Sequence, residues 1–296
     1  MKKIYTIIFI FSVGLTMAAL AMAVIFGLNL GTDFTGGSSL ELQFAKERPA
    51  ISDIQKSLSE NFPVKDTSLS TVGDTGLIVR MPDISEDDHQ AVLGWLKDKF
   101  PKNEFSEKRF DSVGPVIGKE LKNKSITAII ILLISITIYI ALVFRKMSVV
   151  VSPWVMGVAA MLALAHDVII PIGVFSYLGH FYDVEISAVF VAAILTILGF
   201  SVSDTVVIFD RIRENVIRNR VRQDFAGLVH ASILQTLTRS LNTTFTVLLS
   251  LFAIYFFGGE SMRYFSLALI IGIFLGAYSS IFIASPLLVW WSEWRK

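Results

Sequence analysis

Six stretches of the chain are almost purely apolar, and each is long enough to cross a lipid bilayer as a helix. A membrane span needs about 20 mainly apolar residues, because a helix rises about 1.5 Å per residue and the hydrocarbon core is about 30 Å thick. The stretches of this length are 4–28, 126–144, 149–178, 186–209, 241–257 and 264–291. The pattern therefore predicts an α-helical membrane protein with six transmembrane helices.

The first apolar stretch has two interpretations. Lys2 and Lys3 precede it, and 21–23 (Ala-Met-Ala) resembles the cleavage site of a secretory signal peptide. The apolar region of a signal peptide is usually about 7 to 15 residues long, whereas this run continues to Phe26. We expect an uncleaved membrane anchor, and a cleaved signal peptide is the alternative.

Between the first two spans, the continuous apolar runs end. The apolar residues there alternate as in strands or recur at the spacing of amphipathic helices. Its elements are a strand at 38–44, a helix at 51–62, strands at 68–72 and 76–81 joined by a turn at 73–75, a helix capped by Ser85, and a strand at 103–113. The order β-α-β-β-α-β is typical of an α+β ferredoxin-like sandwich. His89, on the second helix, is expected to be solvated surface.

Composition agrees with a membrane protein that carries one soluble domain. The 296 residues are 53% hydrophobic and 17% charged, and the mean hydropathy is +0.64. A net charge of +1 provides no basic face, which excludes nucleic acid as a partner. The chain has no cysteine, which excludes disulfides, thiol catalysis and cysteine-bound metal sites.

The positive charges of the short loops predict the orientation in the membrane. With six crossings, one side receives Lys2, Lys3, Arg145, Lys146, Arg211, Arg213, Arg218, Arg220, Arg222, Arg239, Arg295 and Lys296. That side should be the cytoplasm, so both termini and a loop at 210–240 are predicted to be cytoplasmic. The predicted division is a first helix at 1–28, an extracytoplasmic domain at 29–124 and five further helices within 125–296.

Asp204 is the most informative residue of the fourth span. It lies about 9 Å inside the predicted membrane boundary, too deep for a short carboxylate to reach water. Ionisable groups at such depth are costly and are functional candidates by default. Arg239, at the start of the fifth span, could pair with Asp204, and protonation of Asp204 would break that pair. Alternatively, Asp204 is a structural carboxylate held by hydroxyls, and Arg239 only anchors its helix at the interface.

His166 and Asp167 form a second candidate site, in the third span. Pro171 follows four residues later and cannot donate a hydrogen bond to the carbonyl of Asp167, which predicts a distorted turn beside two titratable groups. The pair could hold a transported proton. Alternatively, the span ends early and the pair lies near the outer interface.

Two further patterns concern packing. Asp210, Arg211, Arg213 and Glu214 begin a basic segment that we interpret as an amphipathic interfacial helix held by anionic membrane lipids. Small residues recur every four positions along the sixth span, at Gly272, Gly276, Ser280 and Ala284, so another helix can approach it closely. That helix could belong to this chain or to a partner.

Five segments, taken together, resemble SecF proteins of the SecD/SecF protein-export family, which is related to the RND exporters. The resemblance rests on Gly31, Asp33, Phe34, Gly36 and Gly37 after the first span, Gly114 and Pro115 before the second, 165–168 in the third, 203–215 with Asp210, Arg211, Arg213 and Glu214 in the fourth, and 235–240 before the fifth. It covers nearly the whole chain. Asp204 and Arg239 match the functional Asp and Arg of the family.

The resemblance implies a role in protein export across the bacterial inner membrane. Such a protein works with SecD, the SecYEG channel, YajC and YidC on a translocating unfolded polypeptide. It is expected to use the proton motive force late in translocation, without covalent catalysis. The resemblance implies no cofactor; H⁺ is the expected coupling ion, and Na⁺ is the alternative.

Three other functions are weighed against this one. An RND-type half-transporter for small molecules or lipids would need a much larger external region than one domain. An intramembrane hydrolase could use Ser201 or Ser203 with His166, but 199–203 lacks the second glycine of a nucleophile elbow. A structural assembly scaffold would act without a proton gradient.

Overall fold

The computed structural model describes residues 3–61, 67–219 and 224–294, and divides the chain into two compact units. The membrane unit consists of Met1–Leu28 and Thr127–Lys296, and the domain unit is Asn29–Ile126. In chain order, the elements are α1 (Lys3–Phe26), α2 (Thr32–Thr35), β1 (Gly37–Phe44), α3 (Ile51–Asn61), β2 (Ser68–Val72), β3 (Gly76–Met81), α4 (Glu86–Lys99), β4 (Phe105–Val113), α5 (Pro115–Val143), a 3₁₀ turn (Arg145–Val149), α6 (Pro153–Tyr182), α7 (Ala188–Asn219), α8 (Phe225–Phe257), α9 (Glu260–Ser279), a π turn (Ser280–Ala284) and α10 (Ser285–Trp294).

The prediction of six spans is confirmed, because six helices are long and apolar enough to cross a membrane. Their ends differ from the predicted ones, since hydropathy locates only the apolar part of a helix. The helix α5 begins at Pro115, well before the apolar stretch, and α8 begins at Phe225. The long helices therefore extend beyond the apolar stretches in both units.

The segment that begins at Asp210 is helical, as predicted, but it is not separated from the fourth span, whose predicted end at 209 is wrong. The helix α7 continues without a break to Asn219, because 204–219 contains neither glycine nor proline to end it. The second half of the predicted loop, 225–240, is the first part of α8. Arg220 and Arg222 lie outside the described residues.

The last span is interrupted by the π turn, just before Pro286. Proline has no N–H and its ring collides with the carbonyl of the residue four positions earlier, so it does not fit an ordinary helical turn. A π turn widens the helix at such a point. The Ser285 hydroxyl donates to the carbonyl of Ser280 at 2.8 Å and satisfies one carbonyl of the widened turn.

The small residues of the last span pack against α7 of the same chain. A Cβ atom added to Gly276 would lie 2.8 Å from Cβ of Ser201, and one added to Gly272 would lie 2.2 Å from Cδ1 of Ile197. The sequence left open which helix approaches this repeat, and the structure identifies α7. Gly173 of α6 allows the same close approach to Ala19 of α1.

The domain unit contains one four-stranded antiparallel sheet in the order β2-β3-β1-β4. Alternate residues of β1 point into the core, as the period-two pattern predicts, while Glu41 and Gln43 are only half-buried. Both helices α3 and α4 contribute to the same core as the sheet. Its buried residues are Leu40, Leu42, Phe44, Ile54, Leu58, Leu77, Val79, Met81, Val92, Leu93 and Leu96. Phe62, predicted to end the first helix of the domain, lies outside the described residues.

The prediction that His89 is solvated is wrong. Its ring is 3% exposed and stacks on Phe110 with 3.8 Å between the ring centroids. Its two ring nitrogens lie 3.2 Å from Glu86 and 3.3 Å from Glu107. Hydrogen bonds from Gln90 and then from His89 hold the pKa of the exposed Glu86 carboxyl below its usual value. The helical spacing to Val92 and Leu96 already places His89 on the buried face of α4.

Replacing Gly276 with alanine should destabilise the membrane unit by about 1–3 kcal/mol, because the added methyl group meets the Cβ atom of Ser201. Gly199→Ala on α7 is the matched control, since nothing lies within 4 Å of a Cβ atom at that position. Thermal unfolding of the purified full chain in detergent, followed by helical circular dichroism, measures both. Equal midpoints for the two variants would contradict this packing.

Candidate functional site

Two carboxylates are buried inside the membrane unit on neighbouring helices. Asp167 of α6 is 0% exposed and Asp204 of α7 is 7% exposed. A charged side chain in a membrane span costs about 2.5 to 3.5 kcal/mol on insertion scales, so its surroundings must compensate. The two carboxylates have very different surroundings.

Asp167 has hydrogen-bond donors on both of its oxygens. Nδ1 of His166 lies 2.9 Å from Oδ1, while the hydroxyls of Ser201 and Ser279 donate to Oδ2 at 2.6 and 2.7 Å. Helices α6, α7 and α9 each supply part of this arrangement. The carboxylate of Asp167 thus links three helices inside the membrane unit.

His166 is 4% exposed, and its two ring nitrogens differ, because only Nδ1 contacts Asp167. Nε2 is buried without a hydrogen-bond partner among the described residues. The ring stacks on Tyr278, whose hydroxyl is 2.6 Å from the Ser12 hydroxyl of α1. Tyr278 of the last span therefore connects the His166 ring to Ser12 of α1.

The structure decides between the two interpretations of the third span. The helix α6 continues past Asp167 to Tyr182 and remains unbroken at Pro171, so the span does not end at the pair. The distorted turn predicted beside Asp167 is absent from α6. The irregular turn lies instead in the last span, directly after Ser279.

Hydroxyl groups extend the polar contacts from Asp167 along α7 and the π turn. The hydroxyls of Thr205 and Ser280 are 2.9 Å apart. Each also reaches a backbone carbonyl one turn earlier in its helix: Thr205 donates to Ser201 at 3.2 Å, and Ser280 to Gly276 at 2.9 Å. Sequence reasoning missed Ser279 and took Ser280 only as a small residue. Two adjacent serines within an apolar span were the available signal.

Asp204 lies on the side of α7 that meets α8. The hydroxyls of Ser240 and Thr244, one turn apart on α8, face its carboxyl group. However, Oδ2 of Asp204 and both hydroxyl oxygens are buried atoms without a properly formed hydrogen bond to any described residue. Asp204 is therefore an incompletely satisfied carboxyl group, in contrast to Asp167.

The predicted pair between Asp204 and Arg239 is not present. Arg239 is exposed, and no acidic side chain of the described residues lies within ion-pair distance of it. Successive side chains point about 100° apart around a helix, so Ser240 can face Asp204 only if Arg239 points away. The matching depth of the two residues was a correct guide to the neighbouring helices, but not to the side chain that faces Asp204.

The charged residues at the end of α7 pair with one another along the helix. Arg211 contacts Glu214 at 2.7 Å and Arg213 contacts Asp210 at 2.6 Å, each pair at i,i+3 spacing. Arg213 also lies over the ring of the buried Phe144, 5.8 Å from its centre. These four residues stabilise the end of the helix and do not approach the buried carboxylates.

Asn215, the next residue along, joins α7 to α8. Its amide donates to Ser232 at 2.8 Å and to Gln235 at 3.1 Å. Asn215 is 9% exposed. The contact between α7 and α8 thus has polar side chains both here and at Asp204.

The two glycine-containing motifs of the domain unit lie against each other. Gly31 precedes the short helix α2, which buries Phe34 and contains Asp33. The φ angle of Gly36 is +79°, and a Cβ atom there would lie 2.6 Å from Cα of Pro115, the first residue of α5.

The same close packing continues on both sides of Gly36. Gly37, with a φ of +120°, leaves no room for a Cβ atom beside the carbonyl of Met81. Gly114 precedes α5 and accepts the hydrogen bond from the N–H of Gly118, which packs on Phe34 and Gly36. The motifs therefore form a backbone contact between the start of β1 and the start of α5.

Family models and relatives agree on one family. The model for "Protein export membrane protein SecD/SecF, C-terminal" matches residues 95–294, and that for "SecD/SecF GG Motif" matches residues 22–47. The protein translocase subunit SecF of Thermobaculum terrenum is 44% identical over 281 residues, which cover 91% of this chain and 86% of that protein. SecF of Anaerolinea thermophila is 41% identical, with 97% and 93% covered.

Longer relatives match over the same region. The protein translocase subunit SecDF of Thermus thermophilus is 36% identical, and the match covers 95% of this chain but 37% of that protein. A crystal structure of SecDF from Thermus, described as a translocon-associated membrane protein, matches with a TM-score of 0.83 and 34% identity. That match covers 98% of this chain and 38% of the SecDF chain, so this chain spans less than half of it.

Gly36→Ala should loosen the contact between β1 and α5. The φ of +79° and ψ of 163° belong to a region that only glycine adopts readily, so the strain alone costs about 1–3 kcal/mol. Amide hydrogen exchange in β1 and the first turn of α5 should then be about tenfold faster or more. Gly94→Ala on α4 is the control, because nothing lies within 4 Å of a Cβ atom there. Unchanged exchange in Gly36→Ala would show that the motif contact is not stabilising.

Proposed function

Because the chain belongs to the SecD/SecF family of protein-export membrane proteins, we propose that it is a SecF-type accessory subunit of a Sec protein translocase that uses the proton motive force with SecD late in translocation. The family membership supports the translocase role. The observation that carries the proton-driven step is Asp204, a buried carboxyl group in a membrane span with an unpartnered oxygen.

The proposed setting is the bacterial cytoplasmic (inner) membrane, with both termini in the cytoplasm. The domain unit then lies outside as a ferredoxin-like sandwich, which is supported by its sheet order β2-β3-β1-β4 and by α3 and α4 in its core. There it could hold or move an emerging unfolded polypeptide. The clustering of Lys and Arg in alternate loops supports this orientation.

SecD is the proposed direct partner, and SecYEG, YajC and YidC are further partners in the proposal. In relatives named SecDF, the region that matches this chain is joined to a longer remaining part within one chain. This arrangement supports SecD as a partner. The helix α8 offers a surface for such a partner. Its side chains Arg239 and Asn242 are exposed near one end of an apolar span, where lipid tails would satisfy them poorly.

Proton exchange at Asp204 would change the contact between α7 and α8. An ionised carboxylate can only accept hydrogen bonds, and Ser240 and Thr244 face it with hydroxyls that can donate. The protonated acid can itself donate, so the favoured arrangement of these hydroxyls changes with each proton gained or lost. A rotation of α8 by about 100° would place Arg239 where Ser240 now faces Asp204. The arginine could then pair with Asp204 during proton transport. The coupling ion proposed is H⁺, with Na⁺ as the alternative.

We propose no covalent catalysis for this chain. Ser201, the nucleophile of the hydrolase alternative, donates its hydroxyl hydrogen bond to Asp167 rather than to His166. Ser203 is exposed on α7. This geometry supports the translocase role over a hydrolase.

Asp204→Asn should leave the complex with SecD assembled and reduce gradient-dependent stimulation of export to background, because asparagine cannot exchange a proton. Export into inverted membrane vesicles, with and without a proton gradient, measures the stimulation. Asp224→Asn is the matched control: Asp224 caps α8 through the N–H of Gly227, and asparagine caps as well. Full stimulation in Asp204→Asn would overturn the proposed role of this residue.

A further inference from the structure

We propose that His166 and Asp167, with the hydroxyls of Ser201 and Ser279, form a second proton-binding site within this chain, and that the proton enters through Nε2 of His166. The inference rests on the proposed function, since it adds a site to a proton-driven subunit. It differs from the Asp204 site in its helices, because it lies between α6, α7 and α9 rather than between α7 and α8.

The first observation is the unpartnered nitrogen of a buried imidazole. His166 is 96% buried, its Nδ1 contacts Asp167, and its Nε2 has no hydrogen-bond partner among the described residues. When Asp167 is ionised, it can only accept the hydrogen bond from Nδ1, and Nε2 of a neutral ring is then an acceptor with no donor among the described residues. A buried acceptor without a donor is costly in a purely structural pair, but it is what a proton-accepting site requires.

The second observation is that the hydroxyl groups around Asp167 have alternative acceptors. Ser279 donates to Asp167 at 2.7 Å and can donate instead to the carbonyl of Gly276 at 3.2 Å. Ser280 and Thr205 have the same choice between each other and a carbonyl of their own helix. If a proton moves from His166 to Asp167, these hydroxyls can turn without leaving a buried donor unsatisfied. The site therefore accommodates more than one proton arrangement.

Few other titratable groups face the pair. The last span contributes Tyr278, which stacks on His166, and α7 contributes Asp204 one turn after Ser201 but directed toward α8. The helix α1 contributes the uncharged Ser12 next to Tyr278. Among the described residues, no Lys or Arg forms an ion pair with Asp167. The proton at this site is thus governed chiefly by the His166–Asp167 pair itself.

A sodium ion is the competing occupant, since a carboxylate and two serine hydroxyls are also ligands for a hard cation. The hydrogen bonds of Asp167 favour the proton. Nδ1 of His166 lies 2.9 Å from Oδ1, and both serine hydroxyls already donate to Oδ2, so a cation would have to displace these contacts. Binding of a proton and binding of Na⁺ predict different responses of the histidine NMR signal.

The test is a pH titration of histidine-¹⁵N-labelled full-length protein, in complex with SecD in lipid bilayers, by solid-state NMR. The chain has four histidines, and His166→Gln identifies the signals of this one. We expect Nε2 of His166 to be unprotonated at high pH and to gain a proton as the pH falls. An imidazole that keeps one protonation state over the whole pH range of the folded complex would overturn the proposal. So would a signal that responds to Na⁺ at constant pH.

Two variants separate this site from the Asp204 site. Asp167→Asn should change the pH dependence of the His166 signal, because an amide replaces the carboxyl group that lies 2.9 Å from Nδ1. Asp204→Asn should leave that pH dependence unchanged; an equal change would mean one coupled site and would overturn the proposal. The wild-type titration decides the question even if Asp167→Asn fails to fold.

The failure of this inference can be told apart from the failure of the proposed function. His166→Gln should lower gradient-dependent export stimulation about tenfold or more while Asp204 remains in place. If Asp204→Asn keeps full stimulation but His166 titrates, the proposed role of Asp204 fails and the second site stands. If His166 does not titrate but Asp204→Asn abolishes stimulation, the second site fails alone.

Discussion

A carboxylate inside a lipid bilayer has no water to solvate it, so the protein must bring hydrogen-bond donors to it from neighbouring helices. This requirement explains the packing around Asp167. The Ser201 residue that donates to Asp167 also packs against Gly276 of the last span, where an added Cβ atom would lie 2.8 Å from its own Cβ. Ser279 donates from the last residue before the π turn. Helix packing and hydrogen bonding are therefore parts of one arrangement.

The two buried carboxyl groups represent different solutions to the same problem. Asp167 is surrounded by donors, and its contacts hold three helices together. Asp204 faces two hydroxyls without well-formed hydrogen bonds, so its contact between α7 and α8 is the weaker one. The contact at Asp167 thus joins α6, α7 and α9 through formed hydrogen bonds, whereas the contact at Asp204 leaves polar atoms of α7 and α8 without one.

Much of the architecture follows from period and length in the sequence. Six apolar stretches and the alternation in β1 were sufficient to predict six spans and the strands of the domain, because burial selects residues at those spacings.

The faces of helices were harder to predict. Arg239 was expected to face Asp204, but depth along a helix does not specify direction around it. His89 was expected to be exposed because its neighbours in the chain are acidic, although its spacing to Val92 indicated the buried face. Hydropathy also could not show where polar turns continue a helix, as they do after Asp210.

The π turn has a consequence for the helix that follows it. A turn of this type holds one more residue than an α turn, so every later side chain is displaced around the axis by about one residue step. Ser279 and Ser280, where the turn begins, place hydroxyls against Asp167 and Thr205, whereas Leu288 and Val289 beyond the turn are buried apolar side chains. A single transmembrane segment thus presents hydrogen-bonding groups at the widened turn and purely apolar packing after it.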